Sequence, residues 1–271
     1  MLRIDMHVAT ENRLERWGHT PIARPYWRLY WNANPGWEVV CKPQRFALTP
    51  TQVLLVAPET VYHTTWSNPA QHLFLHFTTA GLAGDPLPGV HAFPYTSAFA
   101  RLMSSLRHNN FNHLDAYALA CHALARLPST ALAANQYSPG IARATALAGR
   151  FLHRQVANQE LARTAGMHVN AFIRRFRLET GSTPQHWHHQ RRIDAACLAL
   201  ESETTSIEEL SLRFGFCDRH HFTRVFTRRR GIAPAAYRAS TDDGRVKANS
   251  KIGSDTKTAN TMYGPPARHE K

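Results

Sequence analysis

The sequence predicts an α+β chain of two domains, a β-rich half followed by an all-helical half. Three observations carry this. Between Tyr26 and Thr78, short β-type runs alternate with turns. From Ile141 to Arg238, apolar residues recur at helical spacing between Gly and Pro stops. Within that second segment one pattern occurs twice, offset by 50 positions. At 271 residues and 43% apolar composition, the chain can fill two ordinary cores.

The elements follow in order. Residues 1–25 carry mixed charge with weak periodicity and read as an arm. WRLYWN (27–32) is an aromatic strand, NPG (34–36) a turn, and WEVVCK (37–42) and RFALT (45–49) are strands. QVLLVAP (52–58) is a continuous apolar run, which fits a strand buried on both faces. Tyr62–Trp66 is another short strand. HLFLHFT (72–78) alternates, with Leu73, Leu75 and Phe77 on one face and His72, Phe74, His76 and Thr78 on the other. Strands this short and closely spaced suggest a small antiparallel sandwich or barrel. Residues 80–94 read as a loop by their Gly and Pro content.

Two helices are expected next, Ser97–Arg107 and Leu114–Leu127. The second carries Leu114, Tyr117, Cys121 and Leu124 at 3-4-3 spacing. That stripe is either a self-association seam or a face packed on the chain's own strands; spacing alone leaves both open. Domain boundaries are therefore expected at 1–127 (strands and two helices), 128–140 (linker), 141–238 (helical domain) and 239–271 (tail). The tail is rich in Ser, Thr, Lys, Asn and Gly and has too little apolar surface to order itself.

The repeat lies in the helical domain. NQELARTAGMHVNAFIRRFR (158–177) reads as a short helix, a break at Gly166, and a second helix with Phe172 and Phe176 on one face. SLRFGFCDRHHFTRVFTR (211–228) repeats it with Gly215, Phe222 and Phe226. TGSTP ends at Pro184 and RGIAP at Pro234, again 50 apart. One copy alone is either a solvated basic helix pair or a helix-turn-helix; recurrence with its punctuation favours two helix-turn-helix units. Between them Thr183-Pro184 opens a helix to about Glu201, with Trp187, Ile193, Cys197 and Leu200 inward and Arg191 and Arg192 partly outward.

Charge points the same way. Formal net charge is +13, and 27 of the 32 basic residues are Arg. Residues 141–238 hold 16 Arg, no Lys and 8 acidic residues, a net +8, which suits a polyanion. Cys41, Cys121, Cys197 and Cys217 form no CxxC pair, so neither a zinc ribbon nor a disulfide scaffold is indicated. No apolar leader follows Met1 and no 18-residue apolar run occurs, so a cytoplasmic protein, neither secreted nor membrane-spanning, is expected.

Residues 141–238 resemble the DNA-binding domain of AraC/XylS-type transcription regulators. The resemblance spans close to 100 residues and rests on the GF-x-D, F-x-R-x-F and G-x-x-P-x-x-YR elements. It implies seven helices and two units inserting into successive major grooves of double-stranded promoter DNA. By position, Val169, Asn170, Ile173 and Arg174, then Arg219, His220, Thr223 and Arg224, would face base edges. Arg175, Arg177, Arg228 and Arg229 would meet phosphates. An alternative for Arg174 and Arg224 is a structural pair with Glu179 or Glu209. His168 and His220 stand where the family commonly has Ser, and His is a poorer N-cap.

Residues 26–78 resemble, more weakly, the cupin-like sensor domain of the same family, a β-barrel followed by a helical dimerisation segment. The implied pocket is lined by Arg28, Tyr30, Thr64, Trp66, His72, Phe74 and His76. Aromatic faces beside His and Arg suit a sugar. The expected protein is then an effector-responsive activator of a catabolic operon, with a carbohydrate as the effector class the pocket suits. It would act as a homodimer that also contacts RNA polymerase, without cofactor, metal or catalytic residues. Two alternatives stand beside it. One is a metal-dependent cupin enzyme with an appended DNA-binding domain, although His72 and His76 at i, i+4 lack the spacing of a cupin metal set. The other is an effector-independent regulator. The HWHH run (186–189) reads as surface histidines.

Overall fold

The computed structural model of the chain describes residues 2–15, 21, 23–82, 84–107, 113–134 and 137–242. It is sheet-rich in its N-terminal half and helical in its C-terminal half. The strands are β1 (Arg3–Leu14), β2 (Trp27–Asn32), β3 (Trp37–Cys41), β4 (Gln44–Leu48), β5 (Gln52–Val56), β6 (His63–Trp66), β7 (Ala70–Ala80), β8 (Gly84–Pro86) and β9 (Val90–Pro94), with the short β10 (Leu132–Ala134) after the first helices. Helices α1 (Ser97–Arg107) and α2 (His113–Leu124) precede β10. Helices α3 (Pro139–Arg150), α4 (Asn158–Ala165), α5 (Val169–Thr180), α6 (Pro184–Ser202), α7 (Ile207–Arg213), α8 (Arg219–Arg230) and α9 (Pro234–Asp242) follow.

A five-stranded antiparallel sheet has the order β1-β7-β2-β5-β9, and a three-stranded sheet the order β4-β3-β6. The two face each other as an open sandwich, so the expected barrel is not closed. The two-residue side-chain period divides each central strand between two cores. Trp27, Leu29, Val53, Leu55, Leu73, Leu75 and Phe77 pack outward against Phe99 and Met103 of α1 and Leu119, Ala120 and Ala123 of α2. Tyr30, Leu54 and Val56 pack inward against Trp37, Val39 and Tyr62. β5 is thus buried on both faces, as its unbroken apolar run suggested.

Four strands, β1, β8, β9 and β10, were not apparent in the sequence. β1 lies within the expected arm and pairs with β7 along its whole length. A bulge between Met6 and Val8 shifts its register, so Ile4 and Met6 before it, and Ala9 after it, all reach the helix-covered core. A bulge breaks strict alternation, which is why the segment looked aperiodic. β9 lies in the segment read as a loop and completes the other sheet edge beside β5. The expected linker is also structured: β10 pairs with β8, and Leu87 N–H donates to the Ala131 carbonyl at 2.9 Å.

The α2 stripe resolves against its own core. Ala116, Leu119, Ala120 and Ala123 face the sheet, whereas Leu114 is 73% exposed and Cys121 is exposed. Only Leu124 of the stripe is buried. The helical half has two cores, one from α3, α4 and α5 and one from α6, α7, α8 and α9. α9 runs past the expected boundary to Asp242, and residues 243–271 of the expected tail lie outside the described residues. Among the described residues no helix is long and apolar enough to cross a membrane.

Candidate nucleic-acid interface

The two helix-turn-helix units are built alike. α4 stops at Gly166, in the left-handed region at φ 73°, and α5 starts three residues later. α7 stops with Gly215 at φ 68°, and α8 follows. In the first unit Phe172 and Phe176 meet at 5.4 Å, and Trp187 of α6 stands edge-on to Phe176 at 6.0 Å. In the second, Phe222 and Phe226 meet at 5.5 Å, and Tyr237 of α9 stands edge-on to Phe226 at 5.3 Å. The 50-residue repeat therefore extends to a third aromatic, Trp187 and Tyr237. α6 joins the units; its 19 residues span about 28 Å.

With the phenylalanines inward, the opposite faces of α5 and α8 turn to solvent. Asn170, Arg174 and Arg177 are exposed on α5, and Arg219, His220, Arg224 and Arg228 on α8. Arg219, His220, Thr223, Arg224 and Arg228 line one shallow hollow with Glu208 of α7. Val169 and Ile173 are only half-exposed and pack partly on the first core. Neither Arg174 nor Arg224 has an ion pair among the described residues; it is Arg175 that pairs with Glu179. Glu179 also accepts the Ser138 N–H at 2.7 Å, tying α5 to the start of α3. Arg229 lies 4.0 Å from Glu59, toward the sheet half.

Local capping differs between the units. His168 is the N-cap of α5 and makes no side-chain cap bond, as expected. His220 is not a cap: it lies inside α8, whose N-cap Asp218 accepts the His221 N–H at 2.6 Å. That bond holds the Asp218 carboxyl below its ordinary pKa. α7 opens with a capping box, Ser206 with Glu209, while the N-cap Ala157 of α4 offers no side-chain acceptor.

Two residues of α6 depart from their expected places. Arg192 is buried; its Nε donates to the Phe214 carbonyl and its guanidinium lies 4.3 Å from the Phe216 ring. Burial lowers its pKa to about 10. His188, within the run read as surface histidines, is fully buried and bonds the Phe151 carbonyl at 3.1 Å through Nε2. Burial lowers its pKa to about 4. Their signal was the four-residue spacing 188, 192, 196, 200, which continues into buried Ala196 and Leu200.

A polar clamp joins the two halves. Arg230, the last residue of α8, donates Nη1 to both Glu59 carboxylate oxygens at 2.9 Å and Nη2 to Asp194 of α6 at 2.5 Å. Burial opposes its charge, but Cys197, Asp194 and Glu59 outweigh this and raise its pKa. Glu59 has φ 61°, the only non-glycine residue in the left-handed region among those described. Its N–H donates to the Arg24 carbonyl at 2.7 Å. Arg24 in turn meets Glu201 at 2.9 Å and Ser240 at 2.9 Å, and its guanidinium lies 4.2 Å from the Tyr237 ring. Tyr26 donates to the other Glu201 oxygen at 2.5 Å. The sequence reading missed this cluster. One signal was present: Phe222, Phe226 and Arg230 share a stripe at i, i+4, i+8, so the arginine falls on the buried face.

The residues expected to line an effector pocket point between the sheets. Arg28, Tyr30, Thr64 and His72 are buried there, Phe74 and His76 are half-buried, and Trp66 stands at the rim, 43% exposed. His72 bonds Asn32 at 2.7 Å, stacks on Trp37, and has its pKa lowered to about 3 by burial. Tyr30 and Tyr62 share a hydroxyl–hydroxyl bond of 2.7 Å.

A family profile described as a helix-turn-helix domain matches residues 161–240. Over 88 residues the chain is 33% identical to the MmsAB operon regulatory protein of Pseudomonas aeruginosa, a stretch covering 32% of this chain and 28% of that protein. Over 94 residues it is 33% identical to the HTH-type transcriptional activator RhaR of an Enterobacter species, covering 35% and 33%. The helical domain belongs to the AraC/XylS family. The AraC-type match thus spans about a third of the length of these curated relatives or less. A wider likeness is seen to an apo ToxT variant from Vibrio cholerae, with a TM-score of 0.51, 10% identity, and coverage of 89% of this chain and 97% of that one. At that identity the likeness is one of fold: a sheet-rich part followed by a helical one.

Proposed function

We propose that this chain is an effector-responsive transcription regulator that binds two adjacent major-groove segments of promoter DNA and activates a catabolic operon. The observation that carries the reading is the pair of matched units, each with exposed arginine on the face opposite its phenylalanines. Arg174 and Asn170 on α5, and Arg219, His220 and Arg224 on α8, are assigned to base edges, with Thr223 beside them. Val169 and Ile173, half-buried, contribute methyl contacts at most at the helix edge. Arg177 and Arg228 are assigned to phosphates. Arg175 and Arg229 serve there only by leaving Glu179 and Glu59. The effector, a sugar by the sequence reading, binds between the sheets. The clamp from Glu59 and Arg24 to Arg230 and Glu201 gives it a route to α8, by shifting the population in which α8 is free to seat. The outward stripe of α2, Leu114, Tyr117 and Cys121, is assigned to a homodimer contact, and the DNA-bound dimer to contact with RNA polymerase.

Footprinting on the DNA upstream of the neighbouring genes tests this. The expected protection covers two groove segments about one helical turn apart. Arg174→Ala should weaken protection of one segment and Arg224→Ala of the other, each by about 1–3 kcal/mol and each relaxing one base position. Unchanged protection by both variants would sink the assignment.

A further inference from the structure

We propose that the two groove segments of the DNA site differ in base composition: guanine-rich opposite α8 and A·T-rich opposite α5, with one guanine in common, read by Arg224 and Arg174. This rests on reading the helical domain as a two-headed DNA binder and names the duplex it takes. The aromatic triads hold α5 and α8 on equivalent scaffolds, so residues 50 apart occupy equivalent slots. Of the base-facing slots, one keeps its residue: Arg174 and Arg224, both exposed. The others change their chemistry. Val169 is matched by Arg219, Asn170 by His220 and Ile173 by Thr223. Farther along the same helices Leu178, 78% exposed, is matched by exposed Arg228.

Each exchange changes which base edge can be satisfied. In the major groove guanine presents two acceptors, N7 and O6, which a guanidinium fork meets together. Adenine presents an acceptor beside a donor, which a side-chain amide matches, and thymine presents a methyl group. α5 offers one fork, the amide of Asn170, and the methyls of Val169 and Ile173, which pack partly on the first core. α8 offers two forks, Arg219 and Arg224, and His220 adds an N–H donor suited to a purine N7. The surroundings of α8 favour bases over backbone for these arginines. Glu208 of α7 lines the same hollow as Arg219, His220 and Arg224. Its carboxylate repels a phosphate but accepts from the N4 amine of cytosine, the partner of each guanine. At the matching position of the first unit stands Asn158, whose Oδ1 already accepts from Gln185 at 2.9 Å. The acceptor for cytosine is thus added in the unit whose forks are doubled.

The test is selection of bound duplexes from a random-sequence library by the full chain. The expected result is two enriched segments about one helical turn apart, one with at least two guanines and the other with a single guanine among A·T pairs. Loss of contact in Arg224→Ala and in Arg174→Ala tells which segment faces which helix. In the selected duplex, 7-deazaguanine keeps base pairing and removes the N7 acceptor. It should weaken binding by about tenfold at two positions opposite α8 and at one opposite α5. The double variant Arg219→Val, His220→Asn gives α8 the residues of α5. It should lose about tenfold or more on the parental duplex and select an A·T-rich second segment in its place. Its melting temperature should stay at the parent's, because both positions are exposed. Glu208→Gln should relax the choice at the cytosines of that segment. Two segments of like composition would overturn the proposal and leave the two-headed binder standing. So would 7-deazaguanine effects as numerous opposite α5 as opposite α8, a measurement that needs no variant, or a folded exchange variant that keeps the parental preference. Enrichment of no sequence at all would defeat the DNA-binding reading together with it.

Discussion

The two helix-turn-helix units share a scaffold and differ in how they are held. Positions 50 apart carry the same aromatic triad, Phe172–Phe176–Trp187 and Phe222–Phe226–Tyr237, in nearly the same geometry. The caps and outer supports diverge at the same offset. His168 faces Asp218 as N-cap, Thr180 faces Arg230 at the helix end, and His188 faces Arg238 as the side chain that secures a neighbouring carbonyl. The first unit is left to its own core. The second is capped, boxed and clamped to the sheet half. The repeated motif keeps its packing and differs in its attachments: the second unit, through Arg230, is bonded to the sheet half.

That contrast can be tested by its strongest element first. Phe176→Ala and Phe226→Ala should each cost about 3–5 kcal/mol in denaturant unfolding, and by similar amounts, because the triads match. Unequal losses would mean the two cores are not equivalent. Next comes the clamp. Arg230→Ala removes the shared partner of Glu59 and Asp194 and should cost about 3 kcal/mol, whereas Thr180→Val at the matching site should cost under about 1 kcal/mol. Similar effects at both sites would remove the distinction.

Acid should then separate the units. His188 is held neutral, with its pKa lowered to about 4 from an ordinary 6.5, so the folded state binds fewer protons than the unfolded one in that interval. Its contribution is complete above about pH 6.5 and is lost as pH falls toward 4. Hydrogen exchange should show α3–α5 loosening over that window before α7–α9, and His188→Gln should flatten the slope. The smallest effect is expected at the cap. His168→Asp places the residue of the second unit in the first and should stabilise it by about 1 kcal/mol in thermal melts. No gain would mean the start of α5 is already fixed by packing.

What the sequence revealed and concealed follows the range of the interactions. Gly166, Gly181, Gly215 and Gly231, the two N1 prolines and the phenylalanine pairs act within a turn or two, and so the repeat and both recognition helices were legible. The fold of the sheet half was legible where strands alternate cleanly, as in β7. It was not legible in β1, where a bulge hides the period and the partner lies some 60 residues away. Arg192 and His188 were misplaced because α6 packs on both helical cores, leaving little of it polar to the outside. The clamp joins residues up to 216 apart and has no local pattern beyond one arginine on an apolar stripe. Arg28 lies buried between the sheets, and its lack of an acidic partner among the described residues emerges only when its neighbours are known.

Gly215 sits where a side chain has no room. A Cβ there would lie 2.5 Å from the His153 carbonyl oxygen, so the turn of the second unit rests directly on the loop that precedes the first. The separation of the two reading heads is thereby fixed at two places, along α6 and across this backbone contact. The domain is a gauge with no adjusting screw. An operator lengthened by a single base pair between its two segments should be measured as wrong, even with every contacted base intact.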